Sequence, residues 1–180
     1  MIGAGCTHRT RLRGLVVGLL GVLLAVSARA DTVAGWVVRI DDGDSLEIRN
    51  HVGQRYRVRL LGIDAPERAQ PYAQVARRNL ARLARGRAVV ISYDSVDKYG
   101  RLLAWVYVDD GASVNLLQVR AGLAWHYALP GQPWTVNDDV LARAERDARA
   151  ARLGLWARSN PVPPWQYRRD HHDAYWRAPR

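Results

Sequence analysis

Polar and apolar positions alternate most clearly over residues 55–61, where Tyr56, Val58 and Leu60 fall on one face and Arg55, Arg57 and Arg59 on the other. A period of two with a basic outer face predicts a half-buried strand. Two β-rich runs precede it, at 36–40 and 45–49. The first ends in the turn Asp41-Asp42-Gly43-Asp44, and Asn50-His51-Val52-Gly53 turns the chain into the third. Three strands joined by short turns predict a meander. After Pro71 the period changes. Tyr72, Val75, Ala76, Leu80, Leu83 and Ala84 recur at helical spacing, Arg77, Arg78, Arg82 and Arg85 mostly take the other side, and Gly86 ends the run. Pro suits the first helical position, so a helix is expected from there.

Residues 88–93 and 102–108 predict two further strands across a polar loop. Ser113 is placed to cap a helix reaching Ala121, with Gly122 as its stop. A third helix is expected from Asn137-Asp138-Asp139 to about residue 153; its acids come early and its arginines late, as the helix dipole favours, and Gly154 closes it. Five short strands with a helix between the third and fourth predict an α+β, mainly β fold. The expected architecture is a five-stranded Greek-key barrel of OB type with about three helices packed outside. Residues 159–180 differ in composition, with Pro161, Pro163, Pro164, several aromatics and arginines, and the pair His171-His172. They are expected to form an extended basic tail in which the two histidines are solvated rather than metal-binding.

The first thirty residues have another character. Arg9, Arg11 and Arg13 precede an apolar run from Gly14 to Val26, and Ala28 and Ala30 supply small residues for a signal peptidase. The run is short for a bilayer span of ~20 residues, so residues 1–30 are expected to be a cleaved leader and 31–158 the folded domain. Cutting after Ala30 removes Cys6, the sole cysteine, and leaves 23 basic against 17 acidic residues, a charge of +6. A thiol-free mature chain suits an oxidising compartment, and export to the periplasm or the medium is expected. The full chain of 180 residues carries +10 with a single lysine, Lys98. Such a balance favours an acidic partner, nucleic acid among them.

The candidate chemistry lies at strand ends. Asp44, in the first turn, and Asp64, after the third strand, can meet at one barrel edge. Two carboxylates with a backbone carbonyl make a hard oxygen site suited to Ca²⁺, with Mg²⁺ as the lesser alternative. Glu67, three residues beyond Asp64, is placed to orient or deprotonate a water. Arg59 and Arg101 can grip phosphate oxygens. Each piece has a plain structural explanation: Asp-Gly turns are common, an acid before Pro often ends a strand, and an arginine on an outer face is often only solvated. Their convergence on strand ends is what points to a site.

Ile40-Asp41-Asp42-Gly43-Asp44-Ser45, Val58-Arg59-Leu60-Leu61-Gly62-Ile63-Asp64-Ala65-Pro66-Glu67 and Asp97-Lys98-Tyr99-Gly100-Arg101, in that order, resemble the staphylococcal nuclease family. Gly122-Leu123-Ala124 and Gly154-Leu155-Trp156 resemble it too, and the likeness covers about residues 34 to 157. The resemblance implies a monomeric OB-fold nuclease that uses Ca²⁺ to hydrolyse single- or double-stranded DNA and RNA and leaves 3′-phosphate ends. It implies Asp44 and Asp64 as metal ligands with the Ala65 backbone carbonyl. It further implies Glu67 as general base, Arg59 and Arg101 as phosphate-binding catalytic residues, and Lys98 and Tyr99 beside the terminal phosphate of a bound nucleotide. Two departures stand out. The loop between Glu67 and Tyr72 is shorter than in the staphylococcal enzyme. The family's tyrosines after Gly-Leu-Ala fall in register on Ala128 and Pro130, leaving Tyr127 or Trp125 as candidates for base stacking. The competing expectations are an exported OB-fold module that binds nucleic acid without cutting it, and a basic envelope protein held by its tail.

Overall fold

The computed structural model describes residues 30–109, 111–128, 131 and 134–171. Five strands close a barrel: β1 (Asp31–Ile40), β2 (Ser45–Arg49), β3 (Arg55–Leu60), β5 (Ala88–Val96) and β6 (Leu102–Val108). Its order is β1-β2-β3-β6-β5, and β5 returns to β1. All neighbours are antiparallel except β3 and β6, which run parallel with Val58 beside Leu102 and Arg59 beside Leu103. A two-residue ribbon, β4 (Ile63–Asp64) with β7 (Trp125–His126), lies beside the barrel. Helices α1 (Ala73–Ala84), α2 (Val114–Arg120), α3 (Val136–Ala150) and α4 (Pro164–Asp170) complete the fold, with a 3-10 turn at Gly154–Ala157. No helix among the described residues is long and apolar enough to cross a membrane.

The mainly β, OB-type barrel is the architecture the alternation predicts. Leu46, Ile48, Val58, Leu60, Ile91, Ala104 and Val106 fill its interior, and α1 covers it with Ala76, Leu80 and Ala84. Several boundaries differ from expectation. β1 starts five residues earlier than its apolar run, because residues 31–36 complete the ladder to β5. α1 starts at Ala73, not at Pro71: Tyr72 takes a left-handed φ of 69° that no α-helix continues through. Val75 faces solvent rather than the core. α3 begins at Val136 because Thr135 caps it, in a capping box with Asp138. The largest difference is in the expected extended tail. Residues 164–170 form α4, with Pro164 at its first position and buried.

Two buried amides position the loops that carry the site. Asn115 of α2 accepts from Val106 N at 3.0 Å and donates to the carbonyls of Leu61 and Ala104, pinning the chain where it leaves β3. Gln118 donates to the Gly43 carbonyl at 2.6 Å and to Ala76 O at 3.1 Å, fixing the Asp42-Gly43-Asp44 turn against α1. Gly43 is needed there for space: a Cβ would lie 2.7 Å from Ala65 Cβ and 2.8 Å from Ala76 Cβ.

Gly122 and Gly154 pack backbone to backbone, with Leu155 N donating to Gly122 O at 2.8 Å. A Cβ on Gly122 would meet Leu153 O at 2.3 Å, and its φ is +65°. Gly122→Ala is therefore expected to cost about 3 kcal/mol, from left-handed strain plus the collision with a backbone that cannot retreat. Urea unfolding should show a midpoint lower by roughly 1–2 M. An unchanged midpoint would mean the α3-to-turn junction is looser than this packing indicates.

Candidate active site

The site is built where β3 ends, against the turn before β2. The Asp42-Gly43-Asp44 turn is closed by Asp44 N donating to Asp42 Oδ1 at 3.0 Å. Leu60 N donates to Asp44 O at 2.8 Å, which joins that turn to the end of β3. Asp64 is held by the ribbon pairing of β4 with β7, opposite Trp125. Ala65 N then donates to Asp44 Oδ2 at 2.6 Å, so two segments 21 positions apart share a wall. Asp44 and Asp64 are both buried, at 6% and 1% exposure.

Arg59 ties them together. Its Nη1 lies 3.1 Å from Asp44 Oδ2, and its Nη2 donates to Asp64 Oδ1 at 2.8 Å. Nη1 also donates to the carbonyls of Leu60 and Ile63. Alternation puts Arg55, Arg57 and Arg59 on the same outer face of β3; Arg55 and Arg57 lie in solvent, while Arg59, near the strand's end, is partly covered and bonds to the Ile63–Asp64 segment. Burial pushes Asp44 well above the usual carboxylate range, against the pull of Arg59, and the neighbouring Asp42 and Asp64 push the same way. Burial works against the charge of Arg59, but Asp44 and Asp64 outweigh it and hold the guanidinium protonated.

Glu67 follows Pro66 in a turn locked by Gln70: Glu67 N donates to Gln70 Oε1 at 2.8 Å and Gln70 N to Glu67 O at 2.7 Å. This interaction fixes the short loop between Glu67 and Tyr72. Beside the turn lies an open depression of about 250 Å³, lined by Asp41, Asp42, Pro66, Arg68, Ala73, Gln74 and Arg77.

A residue that sequence reasoning missed completes the cluster. Arg168 of α4 donates from Nη2 to Asp64 Oδ2 at 2.8 Å and from Nη1 to Glu67 Oε1 at 2.5 Å, with a longer contact to Asp64 Oδ1 at 3.3 Å. Burial disfavours its charge, yet Asp64 and Glu67 hold it more firmly protonated than an ordinary arginine. The one local signal for it was Pro164 opening a helix, which puts Arg168 one turn along.

Arg101, Lys98 and Tyr99 form a second group, in the β5–β6 loop. Asp97 organises it: Oδ1 accepts from the backbone N–H groups of Tyr99 and Arg101, and Oδ2 accepts from Arg101 Nε at 2.7 Å. Lys98 Nζ and the Arg101 guanidinium lie 5.2 and 5.4 Å from the centre of the Tyr99 ring. Arg57 Nη1 donates to Tyr99 O at 3.4 Å, linking the loop to β3. The structure therefore brings Asp44, Asp64, Ala65, Glu67 and Arg59 into one cluster and sets Arg101, Lys98 and Tyr99 in an adjoining loop.

Of the two stacking candidates, Trp125 is a core residue, 2% exposed and packed edge-on between Trp156 and Trp165. Tyr127 is half-buried under Trp165, with ring centres 5.2 Å apart. His171 stacks on Tyr167 at 4.1 Å. His172, Pro130 and the leader residues 1–29 lie outside the described residues.

Among the described residues, no three His, Cys, Asp or Glu side chains converge as a metal cluster. The aspartate pair nevertheless fits a hard divalent cation. It offers oxygen donors only, both side chains are buried, and Arg59 bridges the two.

An OB-type barrel with carboxylates and guanidiniums gathered at one end has the parts needed to bind and hydrolyse a phosphodiester. The comparisons with known proteins agree. Residues 57–158 match the family model described as staphylococcal nuclease homologue. The chain is 40% identical over 136 residues to an uncharacterized endonuclease of Escherichia coli, covering 76% of this chain and 85% of that one. It is 36% identical over 167 residues to the micrococcal nuclease of Shigella flexneri, covering 88% and 93%. A probable staphylococcal-like nuclease of Oryza sativa subsp. japonica is 39% identical over 119 residues, covering 66% of this chain and 34% of the plant protein. The chain belongs to the staphylococcal nuclease family and is a nuclease, a hydrolase acting on nucleic acid.

Proposed function

We propose that this nuclease is a Ca²⁺-dependent endonuclease that hydrolyses DNA and RNA to 3′-phosphate ends, with Asp44, Asp64 and the Ala65 carbonyl as metal ligands. The observation that carries this reading is the buried aspartate pair joined by Arg59, with Glu67 linked to the same group through Arg168. A Ca²⁺ ion held there supplies Lewis-acid polarisation of the scissile phosphate and offsets charge developing at phosphorus.

The protein's own groups do the rest. Glu67 accepts a proton from the attacking water as the new O–P bond forms. The P–O5′ bond breaks, its electron pair leaves with the 5′-oxygen, and solvent protonates that oxygen. Arg59 and Arg101 donate to the non-bridging oxygens, where negative charge grows. Lys98 and Tyr99 flank the terminal phosphate of the bound strand. Substrate choice should follow backbone access. A barrel-edge site admits a flexible strand more readily than a stiff duplex. Single-stranded DNA should be cut faster than duplex of the same sequence, and the products should carry 5′-hydroxyl and 3′-phosphate ends. Gel analysis with end-specific labelling reads both. A preference for intact duplex, or 5′-phosphate products, would contradict the reading.

Arg101 can act only if it is aimed, and Asp97 aims it. Burial raises the Asp97 carboxyl, but the bonds from Arg101 and the Tyr99 backbone outweigh this and hold it below its ordinary value. A lowered folded pKa means this tie is fully present above the ordinary carboxylate range and is lost only as pH falls through the lowered value. Asp97→Asn keeps acceptors for the backbone N–H groups but loses the charge-assisted bond to Arg101 Nε. About a tenfold fall in kcat/KM is expected near neutral pH. Unchanged kinetics would remove Arg101 from the mechanism as drawn.

The basic start and short apolar run of residues 1–30 support export to the periplasm or the medium, where the enzyme would act on nucleic acid.

A further inference from the structure

We propose that α4 is an autoinhibitory latch, in which Arg168 closes the carboxylate cluster and a divalent cation must displace it before the enzyme can cut. This rests on the metal-site reading above and adds a regulatory element outside the family-matched residues 57–158.

Three observations carry it. First, Arg168 uses the oxygens that the chemistry needs. Asp64 is almost fully buried, Arg59 holds its Oδ1, and Arg168 holds its Oδ2. The same guanidinium takes Glu67 Oε1, an oxygen that would otherwise accept the water's proton.

Second, Arg168 and a divalent cation compete for the same carboxylates. Asp64 and Glu67 both accept from Arg168, and an ion ligated by Asp64 would lie beside that guanidinium, at close range and partly buried, where repulsion is strong.

Third, α4 is docked lightly. It has seven residues, no side-chain cap, and only Pro164 fully buried. Its other anchors are Gln70 Nε2 donating to Val162 O at 2.8 Å and the contacts of Trp165 with Trp125 and Tyr127. Trp165 packs, partly buried, against the smaller cluster of Trp125, Ala148, Leu155 and Trp156, and the barrel core contains none of the α4 residues, so the latch can open without unfolding the barrel.

The test is Ca²⁺ affinity, measured by isothermal titration calorimetry on the full chain without nucleic acid. A latch closed nine-tenths of the time raises the apparent Kd about tenfold. Arg168→Ala is therefore expected to bind Ca²⁺ at least tenfold more tightly than the unaltered chain. Arg168→Lys, a point charge that cannot bridge two carboxylates, should fall between them. Arg169→Ala removes a neighbouring charge that faces solvent and should change affinity less than twofold. The Ca²⁺ concentration for half-maximal cleavage should shift in parallel. Equal Ca²⁺ binding by the unaltered chain and Arg168→Ala would overturn the latch and leave the calcium site standing. No Ca²⁺ binding by any of the proteins would overturn both readings. A lower cleavage rate for Arg168→Ala at saturating Ca²⁺ would make Arg168 part of the substrate site and overturn the latch.

Discussion

Glu67→Gln should cut single-stranded DNA about 10²–10⁴ times more slowly than the unaltered enzyme, the range that a positioned general base contributes. The substitution is close to isosteric. The backbone bonds between Glu67 and Gln70 do not involve the carboxylate, so the loop keeps its shape. The amide oxygen can still accept from Arg168, but it cannot take a proton from water near neutral pH. Thermal unfolding should therefore stay within about 2 °C of the unaltered protein while single-turnover cleavage collapses. A loss of less than tenfold would show that solvent, or another group, takes the proton.

Arg59→Ala should damage both stability and rate. Arg59 is the tie between two buried aspartates, and its removal leaves Asp44 with no cation within contact distance among the described residues. Removing one partner of a buried ion pair costs about 3–5 kcal/mol, because the charge left behind is neither paired nor solvated. For a domain of this size that corresponds to a melting temperature lower by about 10 °C. Loss of a phosphate-binding donor should slow cleavage by a further 10²-fold or more. Arg59→Lys keeps the charge but cannot span two carboxylates and two carbonyls from one head group. It should recover part of the stability and little of the rate. Circular dichroism melts and single-turnover rates on both variants separate the two effects. An Arg59→Ala protein as stable as the original would mean that the aspartates are neutral in the folded state.

The barrel was legible because its strands follow the rule of two. In β3 the apolar positions Val58 and Leu60 lie inside, and Arg55 and Arg57 lie outside, as alternation requires. Arg59 keeps to that outer face too, but unlike Arg55 and Arg57 it is partly covered, by the segment that carries Asp64, and that covering marks the site. The motif glycines were legible as turns but not in their reason. Gly43 is set by Ala65 and Ala76, and Gly122 by the Leu153 carbonyl, contacts between distant segments that no local pattern encodes. The ribbon β4–β7 has two residues per strand, too few for periodicity to register. Tyr72 delays the start of the predicted helix through a left-handed φ, a conformation that tyrosine does not announce.

The tail was least legible. Its proline-rich composition suggests an extended chain, yet Pro164 opens a helix and Trp165 finds an aromatic pocket formed by Trp125 and Tyr127. Arg168 reaches Glu67 from 101 positions away and Asp64 from 104. Nothing in the spacing of arginines in a basic tail separates one that closes an active site from one that faces solvent.

The central claim is that the buried aspartates hold a divalent cation which the nuclease needs for hydrolysis. The most direct measurement is cleavage of single-stranded DNA by the full chain in metal-free buffer, with Ca²⁺, Mg²⁺ or a chelator added in parallel, and with Asp64→Asn alongside. Cleavage that requires Ca²⁺, stops with chelator and is lost in Asp64→Asn is the predicted result. Full-rate cleavage in chelator, or an Asp64→Asn protein as active as the original, would contradict the account at its base.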